Sequence, residues 1–88
     1  MYIITTRSKK AEKQYYCALH SRSRPCIPEK LEKIREDPRN ACDAHKLKGK
    51  LQDKWSCYLG YDLRMVYEID DENKEIVVVA VGSHKVYG

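Results

Sequence analysis

Side chains that can move a proton or hold a phosphate recur beside cations in this sequence, at widely separated points. His45 opens His45-Lys46-Leu47-Lys48-Gly49. Asp62 lies in Tyr61-Asp62-Leu63-Arg64, and His84 and Tyr87 fall in the closing Gly82-Ser83-His84-Lys85-Val86-Tyr87-Gly88. Cutting a phosphodiester without a metal requires a base for the attacking hydroxyl, an acid for the leaving oxygen and fixed positive charge for the phosphate. Imidazole suits both proton steps, because its unperturbed pKa of about 6.5 leaves both forms populated near neutrality. Each well-placed transfer is worth about 10² to 10⁴-fold in rate. The combination points to RNA, whose 2′-hydroxyl supplies the nucleophile.

Each of these residues also has a plainer reading. If residues 45–51 were extended, Lys46, Lys48 and Lys50 would share one face and His45 the other, as a half-buried packing residue. His84 and Tyr87 would be a solvated residue and a tail anchor. Asp62 and Arg64 would form a surface ion pair worth little, and the lysines a solvated face. Trp55, Tyr58, Tyr15 and Tyr16 read as core or partner surface before they read as base-stacking platforms. His20 suits the negative end of a helix.

At 88 residues the chain reads as one domain, residues 1–88, that buries only roughly 60 to 65% of the surface its unfolded form exposes. The net charge of +4 hides a gradient: residues 1–60 carry 14 Lys and Arg against 7 Asp and Glu, and residues 61–88 carry 3 against 6. The basic part is where a polyanion would be drawn. No tract approaches the ~20 apolar residues of a membrane helix, and the N-terminal run resembles no secretory signal, so a cytoplasmic location is expected. Cys17, Cys26, Cys42 and Cys57 have no zinc-ligand spacing. They read as reduced, partly buried thiols; a metal site from Cys17, His20 and Cys26 is the weaker reading. No cofactor is expected.

The elements that must position these groups follow from periodicity. Residues 2–5 alternate and are rich in β-formers. Thr6 or Ser8 can cap a helix in which Ala11, Tyr15, Ala18 and Leu19 recur at helical spacing. After Pro25 a second helix carries Ile27, Leu31 and Ile34, with Pro28 suited to its first turn and Asp37-Pro38 ending it. Residues 37–53 form a long connection, a length that is often functional. The period then changes to two, giving strands over 54–59, 61–69 and 75–81, with turns at Gly60 and at 70–74. On the middle strand Leu63, Met65, Tyr67 and Ile69 face the core, and Asp62, Arg64, Val66 and Glu68 face away. The last strand is apolar on both faces and belongs inside the sheet.

The run from His45 to Gly49, then Trp55, then Tyr61-Asp62-Leu63-Arg64-Met65-Val66-Tyr67, then Val81-Gly82-Ser83-His84 with Val86-Tyr87 closing, resembles the RelE/ParE superfamily of bacterial toxins. Within it the pattern is similar to the YafQ-like messenger-RNA interferases of type II toxin-antitoxin pairs. The resemblance is carried by residues 45–88; the first half agrees in element order and length. It implies an α+β fold of two N-terminal helices on a four-stranded, mainly antiparallel sheet in the order β-α-α-β-β-β. It also implies a metal-independent endoribonuclease acting on messenger RNA in the ribosomal A site, and an antitoxin partner that silences it. Carried over by position, His45, Asp62 and His84 fall where acid, base or orienting groups stand, and Tyr87 on the aromatic near the C-terminus. Tyr58 and Ala80 stand where histidine-using members often carry a further histidine and an arginine. Arg64 is then the group for the non-bridging oxygens, and Lys46, Lys48, Lys50 and Lys85 guide the RNA backbone. The other function class left open is a non-catalytic binding module of the same fold, either a gyrase-targeting toxin or an inactive antitoxin-binding partner.

Overall fold

The computed structural model describes residues 1–20, 25–47, 49, 53–60 and 63–82. The chain starts with β1 (Ile3–Thr6), followed by α1 (Lys9–Leu19) and α2 (Ile27–Glu36). Ser8 caps α1 as its side chain accepts from the Ala11 N–H at 3.1 Å, satisfying one of the donors that a helix start leaves open. Pro28 occupies the first turn of α2, with Glu29 beside it and Lys33 and Arg35 in the last turn, charges that suit the helix dipole at each end. Asp37 leaves the helical region (φ −148, ψ 79) ahead of Pro38, and the helix stops there.

The connection after α2 is not a featureless loop. It holds a short 3-10 turn (Ala41–Asp43) and then a two-residue strand, β2 (His45–Lys46). The meander β3 (Trp55–Tyr58), β4 (Arg64–Asp70) and β5 (Glu75–Gly82) follows. One sheet contains all five strands in the order β1-β5-β4-β3-β2, with β1 parallel to β5 and every other pair antiparallel. The expected four-stranded sheet is therefore corrected to five. The expectation that the last strand lies inside the sheet is met, since β5 is flanked by β1 and β4.

Cys57, Met65, Tyr67, Ile76, Val78 and Val81 line one face and pack against Ala11 and Ala18 of α1 and Ile27, Leu31 and Ile34 of α2. A β-bulge between Val66 and Tyr67 of the β4–β5 ladder, Val66 opposing Ala80 and Tyr67 opposing Val78, leaves Val79 as the extra residue of β5 and puts both Val78 and Val81 on the core side. β1 stops at Thr6, opposite Val78, and the Val81 N–H is taken instead by Gln14 Oε1 of α1 at 3.0 Å. Arg35 binds the start of β1 twice: its carbonyl accepts from the Tyr2 N–H and its Nε donates to the Tyr2 carbonyl, both at 2.9 Å. The cysteines depart from expectation in part. Cys57 is buried and Cys42 half-buried, but Cys17 and Cys26 are exposed because they lie on the outward side of α1 and at the entry to α2.

Candidate active site

Antiparallel register decides which side chains can meet on the sheet face away from the helices. His45 pairs with Ser56, Ser56 with Val66, and Val66 with Ala80; one step along, Tyr58 pairs with Arg64 and Arg64 with Gly82. Directly opposed residues share a face, and so do residues two apart on a strand. His45, Ser56, Tyr58, Arg64, Ala80 and Gly82 thus lie on one surface. From strand spacing and rise, the Cα atoms of His45 and Arg64 are about 12 Å apart on it, a span that an imidazole and a guanidinium can close from either side.

His45 is exposed on the edge strand, and its Nδ1 lies 3.2 Å from the backbone carbonyl of Asp43. Arg64 begins β4, and its guanidinium carbon sits 4.8 Å from the centroid of the Tyr58 ring, a distance at which the ring face attracts a cation. Beneath these groups Ser56 and Val66 are fully buried, so the floor of the surface is closed.

Lys46 stands on the other face of β2 from His45, opposite Trp55 and exposed. The two side chains stand on opposite faces, as consecutive residues of an extended backbone must. Asp62, His84, Tyr87, Lys48, Lys50 and Lys85 lie outside the described residues. Leu59 N–H donates to the Leu63 carbonyl at 2.8 Å, extending the β3–β4 ladder one step past Tyr58 and Arg64. The connection that includes Asp62 therefore starts at the end of the strand pair carrying Arg64.

Sequence reading did not place Tyr58 in this group. The signal was partial: a turn at Gly60 brings Tyr58 near the start of the next strand, but its partner, Arg64, is set by the Leu59 N–H to Leu63 carbonyl bond that fixes the register. The His45–Asp43 contact had no comparable signal, because it depends on a backbone conformation that the residue types do not announce.

The segment carrying His45 is fixed from behind by buried polar contacts. The Tyr67 hydroxyl donates to the Pro38 carbonyl at 2.6 Å in the core, and Cys42 Sγ donates to the Lys30 carbonyl at 3.6 Å. Burial pushes both the Tyr67 phenol and the Cys42 thiol up, so both stay protonated donors at physiological pH. Farther out, Arg39 spans the connection and the β4–β5 turn. It donates to both carboxylate oxygens of Asp71 at 3.2 and 2.7 Å and lies over the Trp55 ring at 5.9 Å. Among the described residues no group of three or more His, Cys, Asp or Glu side chains is arranged to hold a metal ion. No helix among them is long and apolar enough to cross a membrane.

Solved toxins share this architecture. A metal-bound toxin from Helicobacter pylori is 27% identical over the whole of both chains, with a TM-score of 0.73. A chain of the YoeB-YefM complex from Staphylococcus aureus is 23% identical, with 96% of this chain and 98% of that one covered and a TM-score of 0.70. A mutant of YafQ from E. coli is 15% identical, covers 99% and 98%, and has a TM-score of 0.67. The last two likenesses speak for the fold alone. No curated protein sequence matches the chain. The family model described as the bacterial toxin of type II toxin-antitoxin system, YafQ, matches residues 5–87. That match takes in both helices, all three strands of the meander and the second half of β1, and so the chain belongs to the YafQ family of type II toxin-antitoxin toxins.

Proposed function

We propose that this toxin is a metal-independent endoribonuclease that cuts messenger RNA in the ribosomal A site, and that a cognate antitoxin silences it in the cytoplasm. The observation that carries the reading is the shared sheet face of His45 and Arg64: an exposed imidazole and a ring-supported guanidinium on one surface with a closed floor. A toxin that only docks has no need of that pairing.

In the proposed reaction one imidazole takes the proton of a ribose 2′-hydroxyl, and the oxygen attacks the adjacent phosphorus. The bond to the 5′ oxygen breaks, and an acid returns a proton to that oxygen. The products are a 2′,3′-cyclic phosphate and a 5′-hydroxyl. His45 and His84 are the base and acid, in an order that product analysis of single variants will assign. Asp62 orients or charges a histidine. Arg64 neutralises the non-bridging oxygens, where removing one preorganised donor typically costs about 3 to 4 kcal/mol. Tyr87 packs against the nucleotide, and Lys46, Lys48, Lys50 and Lys85 hold the RNA backbone by charge. Lys46 does so from the edge of β2, away from the His45 face.

Expression of the chain is expected to arrest growth, and co-expression of the product of the neighbouring reading frame to relieve it. Primer extension on translated messages is expected to show breaks inside codons, with a 2′,3′-cyclic phosphate at the new end by mass spectrometry. Growth arrest without RNA breaks, or DNA damage in their place, would replace this reading with that of a gyrase-directed or purely binding toxin.

A further inference from the structure

The backbone just ahead of His45 is turned in an uncommon way. Cys42 (φ 54, ψ 41) and Asp43 (φ 57) are consecutive left-handed residues, a conformation in which Cβ crowds the following carbonyl and which glycine, asparagine and aspartate tolerate best. Among the described non-glycine residues Lys74 is the one other case, in the β4–β5 turn. The turn leads the Asp43 carbonyl onto the ring of His45, 3.2 Å from Nδ1. A carbonyl oxygen only accepts, so this bond requires the proton on Nδ1. The neutral ring is then the Nδ1–H tautomer, and Nε2, with its lone pair, is the other nitrogen of an exposed side chain.

The turn is also held in place. Ala41 N–H donates to the Asp37 carbonyl and Ala44 N–H to the Ala41 carbonyl, each at 3.0 Å, and the Cys42 thiol reaches the Lys30 carbonyl of α2. These contacts fix the backbone on both sides of the left-handed pair, so the direction of the Asp43 carbonyl is set by the fold.

We propose that the left-handed Cys42–Asp43 turn is a positioning element whose Asp43 carbonyl holds His45 in the Nδ1–H tautomer and presents Nε2 as the atom that exchanges a proton with the RNA. The proposal rests on the reading of His45 as a proton-transfer group. When Nε2 carries a proton, taken from the 2′-hydroxyl as base or held for the leaving oxygen as acid, the ring is an imidazolium, and the Nδ1–H bond to the carbonyl is kept and is charge-assisted. The same contact therefore serves the ring before and after the transfer.

Long-range ¹H–¹⁵N correlation of the histidine rings reads the tautomer directly, with a His45→Gln sample to assign the signals. Asp43 is exposed, so Asp43→Asn, Asp43→Gly and Asp43→Val change backbone preference without opening the core. The wild type, Asn and Gly chains are expected to show the Nδ1–H pattern at a pH where the ring is neutral. Val, whose branched Cβ disfavours the left-handed region, is expected to shift His45 to the Nε2–H form and to cleave more slowly than Asn. An Nε2–H pattern in the wild type, or one that Val leaves unchanged from Asn, would overturn the proposal. A tautomer that follows the series in a chain that cuts no RNA would uphold the positioning turn and refute the nuclease function, so the two readings fail separately.

Discussion

The guanidinium of Arg64 lies 4.8 Å from the centroid of the Tyr58 ring, its direct partner across the β3–β4 ladder. Tyr58 thereby limits where the charge of Arg64 can go, and gives the sheet face a fixed cation instead of a mobile one. Arg64→Ala is expected to lower the cleavage rate about 10² to 10³-fold, as for loss of one preorganised donor, with a small effect on the urea midpoint. Tyr58→Leu removes the ring face, worth about 0.5 to 2 kcal/mol at a half-buried site, and is expected to slow cleavage about two- to twenty-fold. Tyr58→Phe keeps the face and is expected to recover that loss. Equal rates for Leu and Phe in single-turnover assays would show that the ring does not position the guanidinium.

The contrast between Tyr58 and His45 shows which parts of the fold can be read from residues. Both helices are visible in the spacing of Ala11, Tyr15, Ala18 and Leu19 and of Ile27, Leu31 and Ile34, because a helix facing a core must repeat its apolar groups every three or four residues. The meander is visible in the alternation through Met65, Tyr67 and Ile69 and in the apolar run of β5. β2 has only His45 and Lys46, too few to display a period, and its place is set by pairing with Ser56 and Trp55. The parallel docking of β1 on β5 depends on a crossover through both helices and has no local signature. Arg64 was legible as an outward residue of β4. The reach of His45 onto the same face was not, since it follows from that two-residue strand and the left-handed turn before it.

Tyr67 joins the core to the connection that carries His45. Its hydroxyl donates to the Pro38 carbonyl at 2.6 Å, and its side chain is fully buried. Tyr67→Phe leaves a buried carbonyl without this donor, which typically costs about 1 to 3 kcal/mol. Urea denaturation is expected to show a lower midpoint with an unchanged slope. Cleavage by the folded variant is expected to fall as well, because the chain leading from Pro38 to the His45 turn loses its deepest attachment. A midpoint within error of the wild type would show that water replaces the bond.

The acid limb of stability is expected to be set in part at Asp71. The Arg39 guanidinium, first, and the Tyr2 hydroxyl hold its carboxyl at about 2, below the ordinary carboxylate range. A carboxyl whose folded pKa is depressed stabilises the fold above its unfolded value near 3.8, and that contribution is lost as the pH falls through about 2. Asp71→Asn is therefore expected to flatten the dependence of the urea midpoint on pH between about 4 and 2. Added salt is expected to reduce the wild-type slope, since the pair is exposed. Parallel pH curves for the two proteins would place the acid sensitivity elsewhere.

The four thiols provide a test of the packing around the connection that needs no substrate. Cys17 and Cys26 are exposed, Cys42 is half-buried with its thiol on the Lys30 carbonyl, and Cys57 is fully buried in the core. Burial raises the Cys42 thiol above its ordinary value and the Cys57 thiol to about 12, and the thiolate is the form that alkylates. Iodoacetamide at mildly alkaline pH is expected to label two cysteines quickly, Cys42 slowly, and Cys57 only as the chain unfolds. Peptide mass spectrometry gives the order. Tyr67→Phe is expected to speed Cys42 labelling if the connection is held as one unit by its attachments at Pro38 and Lys30. An unchanged Cys42 rate would mean that the two attachments act independently, and that the turn ahead of His45 is secured by α2 alone.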